Sequence, residues 1–308
     1  MSTLPAVTEP CCDTDQLADE RDWLEARRQG IGASEAPAVL GVSPYKSPLE
    51  LYAEKLGLVE PSVVDLERVE WGRLLEPLLV EKYRRVTGRR AEKEPAYTLR
   101  RSRAYPWMVA SLDAVIHEAD VTAPLEVKTT GLWKSDEWAE EPPLHVQVQV
   151  QHQLAVTGWP WASVCVLIAG QRFVWCDVPR DERFIAVLIE TERAFLERLA
   201  AKEPPPVDAS QACRELLRRL YPRETPGLVV NLPDEAVEWD EQIQRAKQEV
   251  KRWEAIRDEN ESRMKAAIGE AAVGVLPTRV TYSWITGERK GYTVAPTITR
   301  TLRRKEMK

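Results

Sequence analysis

Asp113, Glu126 and Lys128 carry the strongest chemical signal in the sequence. In Leu125-Glu126-Val127-Lys128 the acid and the lysine stand two residues apart, which on an extended strand points both to one face and turns Val127 to the other. A carboxylate that holds a hard cation beside an ammonium that positions a water is equipment for metal-assisted hydrolysis of a phosphodiester. Mg2+ needs only two or three protein oxygens besides its own waters. The same pattern is also that of an ordinary exposed ion pair. Upstream, Ala110-Ser111-Leu112-Asp113 ends a strand-like run, and the gap of about a dozen residues to Glu126 suits a hairpin that sets the two acids together. Buried without a metal or another partner, Asp113 would be costly. Glu76, on a helix that begins before Trp71-Gly72-Arg73, is a candidate third acid, with a surface helix glutamate as its plain alternative.

The elements that must position these residues are legible from pattern. Residues 16–29 read as a helix ending at Gly30-Ile31-Gly32, and a short helix begins near Ser34. Ser47-Pro48-Leu49-Glu50 is a helix start with a capping serine, proline at the first turn and a glutamate that can reach back; this helix runs to about Gly57. A longer helix over 66–87 sets Leu66, Leu74, Leu75, Leu78 and Leu79 toward a core and closes at Gly88. Stretches 107–116, 123–129, 162–168 and 172–178 read as strands of one mixed sheet, with a crossover helix over 144–157 and another helix over 181–201. From 238 to 272 an apolar seam at Ile243, Ala246, Val250, Trp253, Met264 and Ala267 predicts a long helical arm. The tail around Gly287 and Gly291 predicts a small hairpin. The division is a leader over 1–15, a core over 16–205 and an extension over 206–308. Trp71 and Trp107 read as core residues, with stacking on a base as the alternative for either, and His152 as a packing histidine, since hard magnesium prefers oxygen.

Composition narrows the class. The 308 residues carry 30% charged and 44% hydrophobic side chains, with no apolar run near the roughly 20 residues of a membrane span. The start, MSTLPAVTEPCCDTDQ, carries no export signal. Five cysteines without a C-x-x-C pair argue against a disulfide scaffold or zinc ribbon and for a reducing compartment. A net charge of −6 argues against nonspecific coating of nucleic acid but leaves room for a basic groove. Arg27-Arg28, Arg84-Arg85, Arg89-Arg90 and Arg100-Arg101-Ser102-Arg103 could supply that groove or form solvated helix faces.

Taken together, WLEARRQGIGASE at 23–35, SPYKSP at 43–48, WGRLLE at 71–76, SLD at 111–113, LEVK at 125–128 and QVQVQHQL at 147–154 resemble one family. It is the lambda-exonuclease or YqaJ-like viral recombinase branch of the PD-(D/E)XK nucleases. The resemblance covers about residues 20–180 and implies an α/β restriction-endonuclease-like core, a central mixed β-sheet flanked by helices, followed here by the helical arm and small hairpin. It implies that Asp113, Glu126 and the Val127 backbone carbonyl bind Mg2+, with Mn2+ as a substitute and Glu76 in support. Lys128 would orient or deprotonate the attacking water. Gln151 would steady this array from the crossover helix, with Gln149 as its competitor. Arg27, Ser34 and Ser111 would grip a terminal 5′ phosphate, with Arg28 competing with Arg27.

The implied activity is 5′-to-3′ digestion of double-stranded DNA ends to 5′-phosphomononucleotides, leaving single strand for phage-type homologous recombination. Implied partners are a single-strand annealing recombinase and further copies of the chain in a trimeric or tetrameric ring, in the cytoplasm of a bacterial host of a phage or prophage. Two alternatives stand beside this: a RecB-like nuclease with an iron–sulfur cluster, which would call for four spaced cysteines, and a non-catalytic DNA-end-binding protein.

Overall fold

The structure, a computed structural model, describes residues 11–60, 66–118, 121–288 and 302–304. The chain divides into two units, Met1–Pro222 and Arg223–Lys308. The first opens with β1 (Cys12–Gln16), α1 (Glu20–Arg28), β2 (Ile31–Gly32), α2 (Ala36–Val39), α3 (Pro48–Lys55) and α4 (Leu66–Thr87). Four strands follow: β3 (Arg90–Lys93), β4 (Thr98–Ser102), β5 (Met108–Ala110) and β6 (Ala114–Glu118). Then come β7 (Val121–Thr130), a 3-10 helix (Leu132–Trp138), α5 (Leu144–Thr157), β8 (Trp161–Ile168), β9 (Arg172–Pro179), α6 (Glu182–Ala201) and α7 (Gln211–Leu220).

A five-stranded sheet in the order β3-β6-β7-β8-β9 forms the centre, and a smaller sheet runs β1-β4-β5-β2. In the central sheet β7 and β8 are parallel, joined by α5, while the other neighbours are antiparallel. A parallel pair needs a crossover of this kind, and α5 covers the strands with Val146, Val148, Val150, Leu154 and Val156. On the opposite side Val80 and Tyr83 of α4 pack on Ile116, Leu125 and Cys165. The helix over 66–87 therefore turns Leu79, Val80 and Tyr83 inward, whereas Leu74 and Leu78, expected in the core, are exposed. Trp71 is likewise exposed, and Trp107 is half-buried against the main core.

Three other expectations change. The single strand expected over 107–116 breaks at Ser111-Leu112-Asp113, so β5 joins the small sheet and β6 the central one. Residues 12–15 of the expected leader, with Gln16 from the start of the expected first helix, pair with β4, from Cys12 opposite Ser102 to Gln16 opposite Thr98; residues 1–10 lie outside the described ones. Residues 206–222, expected in the extension, belong to the first unit. There α7 buries Cys213 and Leu216 in one core with Leu51, Tyr52 and Phe195.

Ser47 caps α3 by accepting the Glu50 N–H at 3.1 Å, as its sequence predicts. The Glu50 carboxylate, instead of reaching back, takes Arg219 of α7 at 2.7 Å.

The second unit contains α8 (Ala236–Ile268) and the hairpin of β10 (Val273–Val275) and β11 (Thr281–Ser283). No described residue of α8 is buried, and Ile243, Val250 and Trp253 of its seam are exposed. The hairpin turns over 276–280, ahead of Gly287; Gly291 lies outside the described residues. Among the described residues no helix is long and apolar enough to cross a membrane.

Candidate active site

The β6–β7 pairing sets Ala114 opposite Leu125, which brings Asp113 and Glu126 to the same end of the hairpin. Asp113 Oδ2 accepts the Val127 N–H at 2.7 Å, tying the acid to the strand that bears Glu126 and Lys128. Two further contacts fix the approach to Asp113: its carbonyl accepts the Glu94 N–H at 3.2 Å, and Glu94 Oε2 accepts the Leu112 N–H at 3.3 Å. Glu94 is itself paired with Arg100. This buried glutamate lacked a sequence signal of its own, because its partners come from across the small sheet.

Glu126 is buried, and three donors meet its carboxylate. Lys128 Nζ lies 2.6 Å from Oε1, Gln149 Nε2 donates to Oε1 at 2.7 Å, and Gln153 Nε2 donates to Oε2 at 2.6 Å. Lys128 also donates to Gln149 Oε1 at 3.0 Å, closing a Glu–Lys–Gln triangle. Gln151 is not part of it. Its amide donates to the Pro179 carbonyl at 2.8 Å and accepts the Asp181 N–H at 3.0 Å, fastening the end of β9 to the start of α6. The cause is helix geometry: residues four apart share a face, so Gln149 and Gln153 reach the sheet together, while Gln151 between them turns away. His152 packs as expected, with Nδ1 2.7 Å from Glu192 Oε1 and Nε2 3.1 Å from the Val109 carbonyl.

Electrostatics single out the same cluster. Withdrawal from water, then the negative charges of Glu126 and Glu76, push the Asp113 carboxyl well above its ordinary range; Lys128 and the Val127 N–H oppose them. Burial pulls the Lys128 ammonium down, but Glu126 and Asp113 outweigh it and hold it above its usual value. Glu76 is close enough to act on Asp113, yet its carboxylate is paired with Lys93 at 3.1 Å. Among the described residues no three His, Cys, Asp or Glu side chains converge as a metal-ligand group. The donors here that fit a hard cation are two carboxylates, Asp113 and Glu126. Crowded like charges and oxygen donors suit Mg2+.

A second group lies at the α1–β2 junction. Arg27 Nη2 donates to Ser34 Oγ at 2.8 Å, and its guanidinium lies 4.4 Å from the centroid of Trp23. Trp23 Nε1 donates to Ser111 Oγ at 2.9 Å, and that hydroxyl donates to the Thr98 carbonyl at 2.7 Å. Arg27, Ser34 and Ser111 are therefore joined through Trp23, which the sequence reading did not single out for this role. Burial holds the Arg27 guanidinium below its ordinary value against the pull of Glu35. Arg28 is exposed and lines a separate surface depression with Asp19, Glu25 and Tyr97. Glycine is required at position 30, where a Cβ would stand 2.3 Å from the Trp107 carbonyl oxygen; one on Gly32 would stand 2.9 Å from Nη2 at the flexible end of Arg27.

One cleft of about 250 Å³ is lined by both Ser34 and Lys128, with Gln149 beside the latter. Most of the arginine clusters expected to build a groove have local partners instead. Arg85 pairs with Glu81, Arg89 with Asp177 and Glu118, Arg90 with Glu92, Arg100 with Glu94 and Arg103 with Asp13. Cys12, Cys165 and Cys213 are buried in three different cores, which does not suit a shared cluster.

A YqaJ-like viral recombinase domain matches residues 22–160. The uncharacterized protein YqaJ of Bacillus subtilis is 30% identical over 259 residues, covering 83% of this chain and 80% of its own. This chain belongs to the YqaJ-like viral recombinase family. Among solved structures, the alkaline exonuclease LHK-Exo of Laribacter hongkongensis is similar at 22% identity, with a TM-score of 0.48 over 64% of this chain and 96% of that one. LHK-Exo in complex with dAMP gives a TM-score of 0.51 at 22% identity, over 65% and 96% of the two chains. The fold of this YqaJ-family chain, a mixed sheet flanked by helices with Asp113 and the Glu126-x-Lys128 strand at its centre, is that of LHK-Exo in the dAMP complex.

Proposed function

We propose that this chain is a Mg2+-dependent exonuclease that digests double-stranded DNA ends 5′ to 3′, releasing 5′-phosphomononucleotides. The carrying observation is that one cleft joins Ser34, hydrogen-bonded to Arg27, to Lys128 of the acidic cluster. A terminal phosphate held by a guanidinium and hydroxyls would register the first phosphodiester against the hydrolytic residues. Asp113, Glu126 and the Val127 carbonyl would hold the cation, with Glu76 in support and Mn2+ as a substitute. When bound, the ion polarises the scissile phosphate and acidifies water. Lys128, kept as an ammonium by its acidic neighbours, donates to the attacking water and neutralises charge on the phosphate. Gln149 and Gln153 hold the Glu126 carboxylate in one orientation. The single strand left behind would serve an annealing recombinase in phage-type recombination, within a bacterial cytoplasm. A ring of three or four copies would keep the enzyme on its substrate; this feature rests on the family resemblance alone.

The test is a time course on end-labelled duplexes blocked at either the 5′ or the 3′ end. The wild type should digest 5′-phosphorylated ends with Mg2+ and stop in chelator. Glu126→Ala should fall by more than the ~10–100-fold typical of losing a supporting partner. Undiminished digestion by that variant refutes the assignment, and digestion from the 3′ end refutes the polarity.

A further inference from the structure

A long helix draws most of its stability from packing an apolar face, yet no described residue of the 33-residue α8 is buried. Its seam sets Ile243, Ala246, Val250 and Trp253 at alternating steps of three and four, and Arg257, Asn260, Met264 and Ala267 continue the same rhythm. That is the spacing of a two-stranded coil, apolar in its first half and interrupted by Arg257 and Asn260 in its second. Ile243, Val250 and Trp253 stand exposed. Beside the second half, Tyr282 and Trp284 join Arg257, Asn260, Met264 and Ile268 in lining a groove of about 450 Å³.

We propose that this seam is an interface with a second copy of the chain, the two α8 helices running antiparallel. Such pairing lays the apolar first half of each seam on the grooved second half of the other. With Trp253 beside the partner's Arg257, Val250 meets the partner's Asn260, Ala246 the partner's Met264 and Ile243 the partner's Ala267. The guanidinium then gains an indole face, and the Asn260 amide already donates to the Ile256 carbonyl at 2.8 Å within its own helix. Charge decides the direction. In this register the residues flanking the seam bring Glu249 to the partner's Arg263 and Lys247 to the partner's Glu261, each twice by symmetry. Ile256, an apolar residue on the flank, meets its own copy at the two-fold axis. Against these stands one Glu254–Glu254 contact. A parallel pair would instead set Arg257 on Arg257 and Glu249 on Glu254, with no opposite charges facing across the flanks. Arg263 and Glu261 now pair with Glu259 at 2.6 Å and Lys265 at 3.5 Å on the same exposed helix, contacts too weak to hold them back. The interface lies outside the exonuclease reading and does not rest on it.

Sedimentation equilibrium of the full chain tests this. At micromolar concentration the wild type should form an even-numbered assembly, and Val250→Glu, which sets a carboxylate into the seam, should halve its mass. Arg263→Glu turns two attractions into repulsions and should weaken association about tenfold; adding Glu249→Arg should restore it. Glu249→Arg alone should weaken it as well. Circular dichroism of these charge variants, which alter exposed residues only, should match the wild type and so separates lost association from lost helix. A monomeric or odd-numbered wild type overturns the proposal, as does an assembly that Val250→Glu leaves intact. Failure of the double variant to restore association overturns the register, and strengthening by Glu249→Arg alone, as parallel pairing with Glu254 requires, overturns the antiparallel arrangement.

Discussion

Asp113 concentrates the conflict at the centre of the site, being withdrawn from water beside two other acids. Because its pKa in the folded chain lies above the ordinary 3.8, the folded state binds the extra proton through that interval and unfolding releases it. Stability without metal therefore falls as pH rises from about 3.8 through the folded value. Asp113→Asn keeps an acceptor for the Val127 N–H and removes the charge. In chelator, at a pH above the folded value, it should melt a few degrees above wild type, each ~1 kcal/mol being worth roughly 2–4 °C at this size. The gap should close as pH is lowered, and Mg2+ should raise the melting temperature of the wild type alone. A variant that melts at or below wild type in chelator contradicts this account. Glu126 and Lys128 were legible because a strand sets their common face within three residues. The glutamines were not, since Gln147-Val148-Gln149-Val150-Gln151 alternates with period two and nothing in it says which member a helix will turn to the sheet. Arg27 was named with Arg28 as its competitor, and the i, i+4 spacing on α1 sets Arg27 over Trp23.

Elements of continuous periodicity, α4, α5, β8, β9 and α6, could be read within a few residues of their limits. What escaped was partnership between elements. The break at Ser111-Leu112-Asp113 comes from two sheets competing for one apolar run, and β1 exists because β4 offers it an edge. The same dependence governs the short turn from α1 through β2. Gly32 pairs with Val109 while the Arg27 guanidinium passes beside its bare Cα on the way to Ser34. In Gly32→Ala the methyl group would displace the flexible end of Arg27 but meet no backbone in close contact. The fold should persist while the preference for 5′-phosphorylated over 5′-hydroxyl ends drops about tenfold, the scale of one charged hydrogen bond. The ratio of digestion rates on the two substrates measures this, and an unchanged ratio removes Arg27 from phosphate recognition. Gly30→Ala meets the Trp107 carbonyl instead and should lose the fold, visible as loss of the cooperative melt.

At the scale of the whole chain, every residue named in the acidic cluster and the Arg27 group lies within Met1–Pro222. The three apolar cores are likewise built from residues between Cys12 and Leu220. The second unit contributes no described buried residue from its 33-residue helix, and Val237, Trp239, Val250 and Trp253 stand exposed along it. A chain ending at Pro222 keeps α7, whose Cys213 and Leu216 complete one core, whereas one ending at residue 205, the boundary suggested by Pro204-Pro205-Pro206, loses them. Two truncations therefore separate a domain boundary from a composition shift. The 222-residue form should melt cooperatively within a few degrees of the full chain and retain Mg2+-dependent cleavage of short duplexes. The 205-residue form should lose several kcal/mol, since two buried side chains leave cavities of about 2–5 kcal/mol each and the Arg219–Glu50 pair is broken. Circular dichroism melts of both forms decide it: equal stability would mean that α7 is dispensable, and a 222-residue form unable to fold would mean that the second unit completes the first.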